Sequence, residues 1–110
     1  MALLDTAQLD AMASGVPELL HEIVTDFETS GRASLARLEA ALREARFPDA
    51  KDILHQLKGA SGTMGLIRFQ KLCKECEEHV VARTYPPRFE ELAPLLTESV
   101  QAACAHLVVD

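Results

Sequence analysis

Apolar residues recur at spacings of three and four along most of the chain, and almost no segment alternates apolar and polar residues at a period of two. The first spacing places apolar side chains on one face of an α-helix, so the sequence predicts an all-α fold. We expect a short first helix from Asp5 to about Ala13 and four longer ones: Pro17 to Arg46, Pro48 to about Met64, Leu66 to a stop at residues 85–87, and Pro94 to about Leu107.

Capping and turn residues mark the ends of these helices. Asp5 and Gln8 have the spacing of a capping box, Pro17 and Pro48 suit a first helical turn, and Gly65 suits a helix C-terminus. Pro94 would cost about 3 kcal/mol inside a helix, so a turn is expected over residues 88–93. Short connections between long amphipathic helices predict an antiparallel four-helix bundle, with the short first helix across one end.

The same periodicity predicts which residues face the core. In the second helix these are Val16, Leu20, Ile23, Phe27, Gly31, Leu35, Leu38, Leu42 and Ala45. In the third they are Ala50, Ile53, Leu54, Leu57, Ser61 and Met64. In the last two they are Leu66, Phe69, Leu72, Cys73, Cys76, Val80, Leu92, Leu96, Val100, Ala103 and Leu107. Ser30 and Gly31 could kink the long second helix.

Length and composition agree with a soluble globular protein. With 110 residues, 48% of them hydrophobic and 25% charged, we expect one domain over residues 1–110 with a real core. No run approaches the roughly 20 apolar residues of a membrane helix, and the N-terminus lacks the features of a signal peptide. We therefore expect a cytoplasmic location, which includes the cytoplasmic tail of a membrane-bound sensor, and a monomer.

Charge is unevenly distributed along the chain. The net charge of −6 argues against nucleic-acid binding over the whole surface. Between residues 51 and 74, however, five basic residues face a single acidic one, Asp52; the basic residues are Lys51, Lys58, Arg68, Lys71 and Lys74. This segment is the first place to look for anion chemistry.

His55 lies in that segment, about 155° around the third helix from the centre of its apolar face, and should point to solvent. Gly59 and Gly62 follow one and two turns later on the same outward face, where each costs about 1 kcal/mol relative to alanine. Core packing cannot explain glycines that face away from the core. A bare backbone beside an exposed imidazole is what a close approach by a second macromolecule requires.

Lys58, three residues after His55, lies within side-chain reach of it and could neutralise an anion such as a phosphoryl group carried on the ring. A neutral imidazole keeps one ring nitrogen free as a nucleophile. The sequence has no nucleotide-binding loop and no carboxylate near His55 other than Asp52, so we expect no autonomous use of ATP and no cofactor.

The segment from His55 to Gly65, HQLKGASGTMG, followed by Leu72-Cys73 and Glu77, resembles the histidine-containing phosphotransfer (HPt) domain, whose pattern is H-x-L-K-G-x-S. The resemblance covers about residues 16–108, and Cys76 departs from it where leucine is more usual. It implies a phosphocarrier in which His55 accepts the phosphoryl group, Lys58 neutralises it and Gly59 gives the partner clearance. In the same motif Leu57, Ser61 and Gly65 are structural.

The implied partner is the receiver domain of a response regulator, whose aspartate exchanges the phosphoryl group and which carries its own Mg²⁺. We assign partner docking to Gly59, Gly62, Lys51 and Asp52. Two alternatives stay open: a chemotaxis-type kinase domain phosphorylated by a catalytic domain on the same polypeptide, and a bundle used only for docking. The sequence does not distinguish a free-standing protein from part of a hybrid sensor kinase.

Cys73 and Cys76 have C-x-x-C spacing, but no second ligand pair follows, so we expect no zinc site. Both fall on the apolar face of the fourth helix and are interpreted as small core residues. His21, His79 and His106 lack outward glycines nearby and are interpreted as structural or solvated.

Overall fold

The computed structural model describes residues 2–107, and within that range it contains helices and no strand. The α-helices are α1 (Thr6–Ala13), α2 (Pro17–Arg43), α3 (Phe47–Thr63), α4 (Ile67–Val81) and α5 (Leu92–His106), and a short 3₁₀ helix over Phe89–Glu91 precedes α5. Helix α2 packs against α3 and α5, and α4 packs against the same two helices. The four long helices therefore close into a bundle, which confirms the predicted all-α fold.

Three helices end in the same left-handed turn. In these three turns the residues with positive φ are Ala45 (55°) after α2, Gly65 (73°) after α3 and Arg83 (59°) after α4. In each turn the following amide donates to a carbonyl five residues earlier, as in the 2.8 Å bond from Arg46 N to Ala41 O. The prediction was right at Gly65 and wrong for α2, which ends at Arg43 because Ala45 leaves the helical conformation. It was also wrong for α4, which ends at Val81 instead of at residues 85–87 because Arg83 does the same.

The core of α2 also differs in part from the prediction. Val16 lies before the first turn and is 51% exposed, Ile23 is 44% exposed, and Ala45 is exposed in the turn after the helix. Val24 is fully buried, one position along from Ile23. The buried face of this long helix is centred closer to Val24, which leaves Ile23 at its border.

Gly31 is buried where α2 meets α5, and the helix continues through it without a break. A Cβ at this position would lie 3.0 Å from Cδ2 of Leu96. The glycine therefore lets α5 pack closely against α2, and the kink considered at residues 30 and 31 is not needed.

Helix α1 lies against the turn between α3 and α4. The Asp5 carboxylate accepts a 3.1 Å bond from the Gln8 amide and caps the helix, as predicted. The Asp5 amide donates to Gly65 O at 2.8 Å, and Gln8 Nε2 donates to Thr63 O at 2.9 Å. His106 Nε2, at the end of α5, lies 2.8 Å from Asp10 Oδ1. These contacts hold the short helix at one end of the bundle.

Helix α5 begins at Leu92, two residues before Pro94, so the proline sits in the first turn, where no intrahelical partner for its missing N–H is needed. The expected turn over residues 88–93 is shorter than predicted and is formed largely by the 3₁₀ helix.

Candidate functional site

Helix α3 turns His55 toward solvent. Its neighbours Leu54 and Leu57 are 0% and 4% exposed in the core, whereas the His55 side chain is 68% exposed. Because successive residues of an α-helix are rotated by about 100°, leucines one and two positions from His55 can face the core while His55 faces solvent. The predicted orientation of His55 is therefore found in the structure.

Glu77 on α4 connects His55 to Lys58. Its side chain is 12% exposed; Oε1 accepts a 2.7 Å hydrogen bond from Lys58 Nζ, and Oε2 lies 3.3 Å from His55 Nδ1. Two residues three apart on α3 thus share one carboxylate from the neighbouring helix. Each oxygen of that carboxylate has a separate partner.

The carboxylate of Glu77 is held in its charged form. Burial by itself would raise its pKa, but the hydrogen bond and the positive charge of Lys58, with a smaller contribution from His55, lower the pKa below the ordinary value of 4.5. Glu77 is consequently an acceptor at neutral pH, for Lys58 and for the imidazole.

This arrangement selects one tautomer of His55. Because an ionised carboxylate can only accept hydrogen bonds, the nitrogen that faces it, Nδ1, carries the proton. In the neutral imidazole, Nε2 then keeps its lone pair, and the ring is exposed. An imidazole held in this way is a nucleophile with its reactive atom available to a partner.

The Hpt domain family model matches residues 22–106, well over half of the chain, and the match includes His55, Lys58 and Glu77. The chain belongs to the Hpt domain family. Hpt domains serve histidine phosphotransfer in two-component phosphorelays. No curated protein and no solved structure gives a significant match to the chain.

Lys58 forms an ion pair in this Hpt domain that the sequence did not predict. Its ammonium is paired with Glu77, and its side chain is 26% exposed. In this state it neutralises the carboxylate beside the imidazole, so any contact with a phosphoryl group requires it to share or exchange that partner.

The two motif glycines have unlike surroundings. A Cβ on Gly59 would meet no atom within 4 Å, whereas one on Gly62 would lie 2.4 Å from Nε2 of Gln70 on α4. The prediction that both face outward holds for Gly59 and is wrong for Gly62, because α4 covers that side of α3. The bare face beside His55 is therefore formed by Gly59.

Lys51 and Asp52 line two different depressions, one on each flank of α3. Lys51 lines a shallow depression toward α4 with Val81, while Asp52 lines another depression toward α2 with Arg37. The structure therefore brings Lys51, but not Asp52, to the side of α3 on which His55 meets Glu77.

The remaining motif residues are structural in their contacts. Leu57 is buried, and the buried Ser61 hydroxyl donates to Leu57 O at 2.7 Å and lies 3.1 Å from Lys58 O, which ties it to the backbone of α3. Gly65 could not carry a side chain easily, because its φ is positive and a Cβ would lie 2.8 Å from Asp5 O. These contacts stabilise the helix that presents His55.

Glu77 is the site residue that sequence reasoning missed, since it entered only as the end of the family pattern. The available signal was its position: it lies four residues after Cys73 and three before Val80, inside an apolar stripe. A carboxylate that falls on a buried helix face needs a partner, and this one has two.

Two of the three cysteines, Cys73 and Cys76, lie in the core and are 0% exposed. Burial raises the pKa of Cys73 strongly and that of Cys76 to about 11, so both thiols are protonated at neutral pH. Between residues 2 and 107 no three His, Cys, Asp or Glu side chains are grouped to hold a metal ion. Over the same residues, no helix is long and apolar enough to cross a membrane.

Proposed function

We propose that His55 accepts a phosphoryl group from the aspartate of a receiver domain and returns it to such an aspartate. The observation that carries this proposal is the pairing of an exposed imidazole with an ionised carboxylate at its Nδ1. Membership of the Hpt domain family supports the same class of reaction.

In the transfer step, the Nε2 lone pair attacks the phosphorus of the receiver's aspartyl phosphate. The N–P bond forms as the P–O bond to the aspartyl carboxyl breaks, and the bonding electrons of that P–O bond leave with the carboxylate. The ring gains positive charge while Nδ1–H remains hydrogen-bonded to Glu77, which stabilises that charge. The reverse reaction passes the group to another receiver and restores the neutral ring.

Lys58 then serves two anions in turn. In the free protein the Lys58 ammonium neutralises Glu77. In the phosphorylated protein the same ammonium can also bind the phosphoryl oxygens on His55, three residues earlier on α3. In this role Lys58 keeps the local charge balanced without supplying a proton or a bond. The chemistry needs no nucleotide, and Mg²⁺ belongs to the receiver.

The test is transfer of label from a ³²P-phosphorylated receiver domain to the purified chain, with His55→Gln as the control. We expect label on the wild-type chain that is lost in acid and stable in base, and none on the variant. Equal labelling of His55→Gln would overturn the assignment. The alternative source of phosphate is tested with a chemotaxis-type catalytic domain and ATP, supplied without a receiver. Efficient labelling of the chain by that domain alone would assign it to a chemotaxis-type kinase in place of a phosphorelay.

A further inference from the structure

All four lysines of the chain lie on α3 and α4, the two helices that form the His55–Glu77 contact; they are Lys51, Lys58, Lys71 and Lys74. Lys51, Lys71 and Lys74 are exposed, and none of these three forms an ion pair with any residue in the range 2–107. In contrast, residues 1–31 contain six acidic residues and no lysine or arginine. Helices α3 and α4 are therefore neutral overall, with five basic and five acidic residues, and carry the three lysines that are unpaired in the range 2–107, whereas residues 1–31 have a net charge of −6.

A groove follows the line where α3 and α4 meet. Two shallow depressions share Val81: one includes Phe47, Lys51 and Arg83, and the other includes Lys58, Lys74 and Glu77. Val81 itself is 62% exposed, although it is apolar. We call this strip the α3–α4 groove, and it passes the carboxylate that holds His55.

We infer that the α3–α4 groove is the receiver-docking surface, an inference that rests on the function proposed above. Lys51 and Lys74 recognise the acidic pocket around the receiver's aspartate, and Val81 supplies the apolar contact. A receiver that phosphorylates an aspartate with Mg²⁺ must gather several carboxylates at that place. Lys51 lies one helical turn before His55 on α3, and Lys74 lines the depression that contains Glu77, so both could face such a pocket and complement its charge. Glu78 lines the same groove and, with Glu77, offsets part of its positive charge.

The opposite side of α3 is less suited to an acidic partner. In the depression between α2 and α3, Arg46 is already paired with Asp49 at 2.7 Å and with Glu44 at 3.2 Å, and Asp52 adds a negative charge. The exposed apolar residues at the start of α2 lie among acidic neighbours such as Glu18, Glu22 and Asp26. Charge repulsion therefore favours docking on the α4 side.

The experiment uses a receiver domain that exchanges phosphate with the wild-type chain, and it compares Lys74→Glu with Arg37→Glu. The two substitutions make the same charge change on exposed helix positions, on opposite sides of α3. At about 0.05 M NaCl we expect Lys74→Glu to lower the second-order transfer rate about tenfold, and about 0.5 M NaCl should remove most of that loss. Arg37→Glu should stay within about twofold of wild type, and the maximal rate at saturating receiver should be unchanged in both.

Val81→Gln gives a second readout, because loss of an apolar contact should slow transfer to a similar extent at both salt concentrations. Equal transfer rates for Lys74→Glu, Arg37→Glu and wild type would show that the receiver does not dock on the α3–α4 groove, while leaving the proposed function intact. If the wild-type chain exchanges phosphate with no receiver of a broad panel, the proposed function fails, and the docking inference fails with it. Circular dichroism of each variant checks that the helices are retained.

Discussion

Glu77 Oε2 lies 3.3 Å from His55 Nδ1, and the same carboxylate holds Lys58 through its other oxygen at 2.7 Å. The residues come from two antiparallel helices, so the contact exists only when α3 and α4 are packed in register. This relationship gives the exposed imidazole a fixed tautomer and a charged neighbour. The reactivity that we propose for His55 depends on it.

Glu77→Gln tests the charge of that neighbour. Glutamine keeps an oxygen that can accept from Nδ1–H but cannot neutralise the positive ring or Lys58. We expect phosphotransfer to slow about tenfold, with a small change in the thermal midpoint, because Lys58 can turn to water. Stopped-flow transfer and thermal unfolding of the same preparation check both parts, and an unchanged transfer rate would remove Glu77 from the mechanism.

Lys58→Ala should raise the pKa of Glu77. In the wild type the pKa lies below 4.5, with Lys58 supplying the larger share of the lowering. A carboxyl whose pKa is depressed in the folded state stabilises that state above the unfolded pKa, and this stability is lost as the pH falls through the folded pKa. The free energy of unfolding should therefore fall below about pH 4.5, and less steeply in Lys58→Ala.

Carbon-detected NMR titration of the Glu77 carboxyl provides the measurement, with Arg43→Ala, which removes an exposed ion pair on α2, as the control. Identical titrations in the wild type and Lys58→Ala would show that the ion pair does not form in solution. We also expect Lys58→Ala to slow transfer less than Glu77→Gln does.

Gly59→Glu should fold normally but fail to transfer. No atom lies within 4 Å of the position of its Cβ, and glycine is a poor helix former, so stability should be equal to wild type or higher by about 1 kcal/mol. The new side chain would stand between His55 and the receiver, with a charge that repels the phosphoryl group. Wild-type transfer by a folded Gly59→Glu protein would show that this face is not used for docking.

The variants Gly59→Ala and Gly31→Ala compare the stability effect of a glycine on an open helix face with that of a glycine packed against a neighbouring helix. Both remove a helix-interior glycine, but a Cβ at Gly31 lies 3.0 Å from Leu96. Gly59→Ala should therefore be the more stable by about 1 kcal/mol or more in chemical denaturation. The reverse order would contradict the described packing of α2 against α5.

Ser99→Ala should leave the protein as stable or make it more stable, by up to about 1 kcal/mol. The Ser99 hydroxyl is buried and has no hydrogen-bond partner among residues 2–107. Ser61→Ala is the matched control, because the equally buried Ser61 hydroxyl has two carbonyl oxygens in reach. Urea denaturation of both variants should rank Ser99→Ala above Ser61→Ala, and the opposite ranking would show that Ser99 is bonded in solution.

Features fixed by local spacing were predictable from the sequence. The outward direction of His55 follows from its place between Leu54 and Leu57, and the end of α3 follows from Gly65. The ends of α2 and α4 use the same turn, but Ala45 and Arg83 occupy the left-handed position. Neither residue type favours that conformation, so the sequence carries no signal for the turn.

Features that depend on which helix packs on which side were not predictable. A helical wheel separates inside from outside, but it does not say that α4 covers Gly62 and leaves Gly59 open. The contact between His55 and Glu77 joins residues 22 positions apart and needs the register of two helices. The same information separates Lys51 from its sequence neighbour Asp52.

The most direct test of the central claim is the identity of the phosphorylated nitrogen. The ¹⁵N-labelled chain, phosphorylated by a receiver, is examined by ¹H–¹⁵N NMR of its histidine rings. We predict a single phosphohistidine, at Nε2 of His55, with Nδ1 still protonated beside Glu77. Phosphate on Nδ1 of His55, or on His21, His79 or His106, would contradict the account.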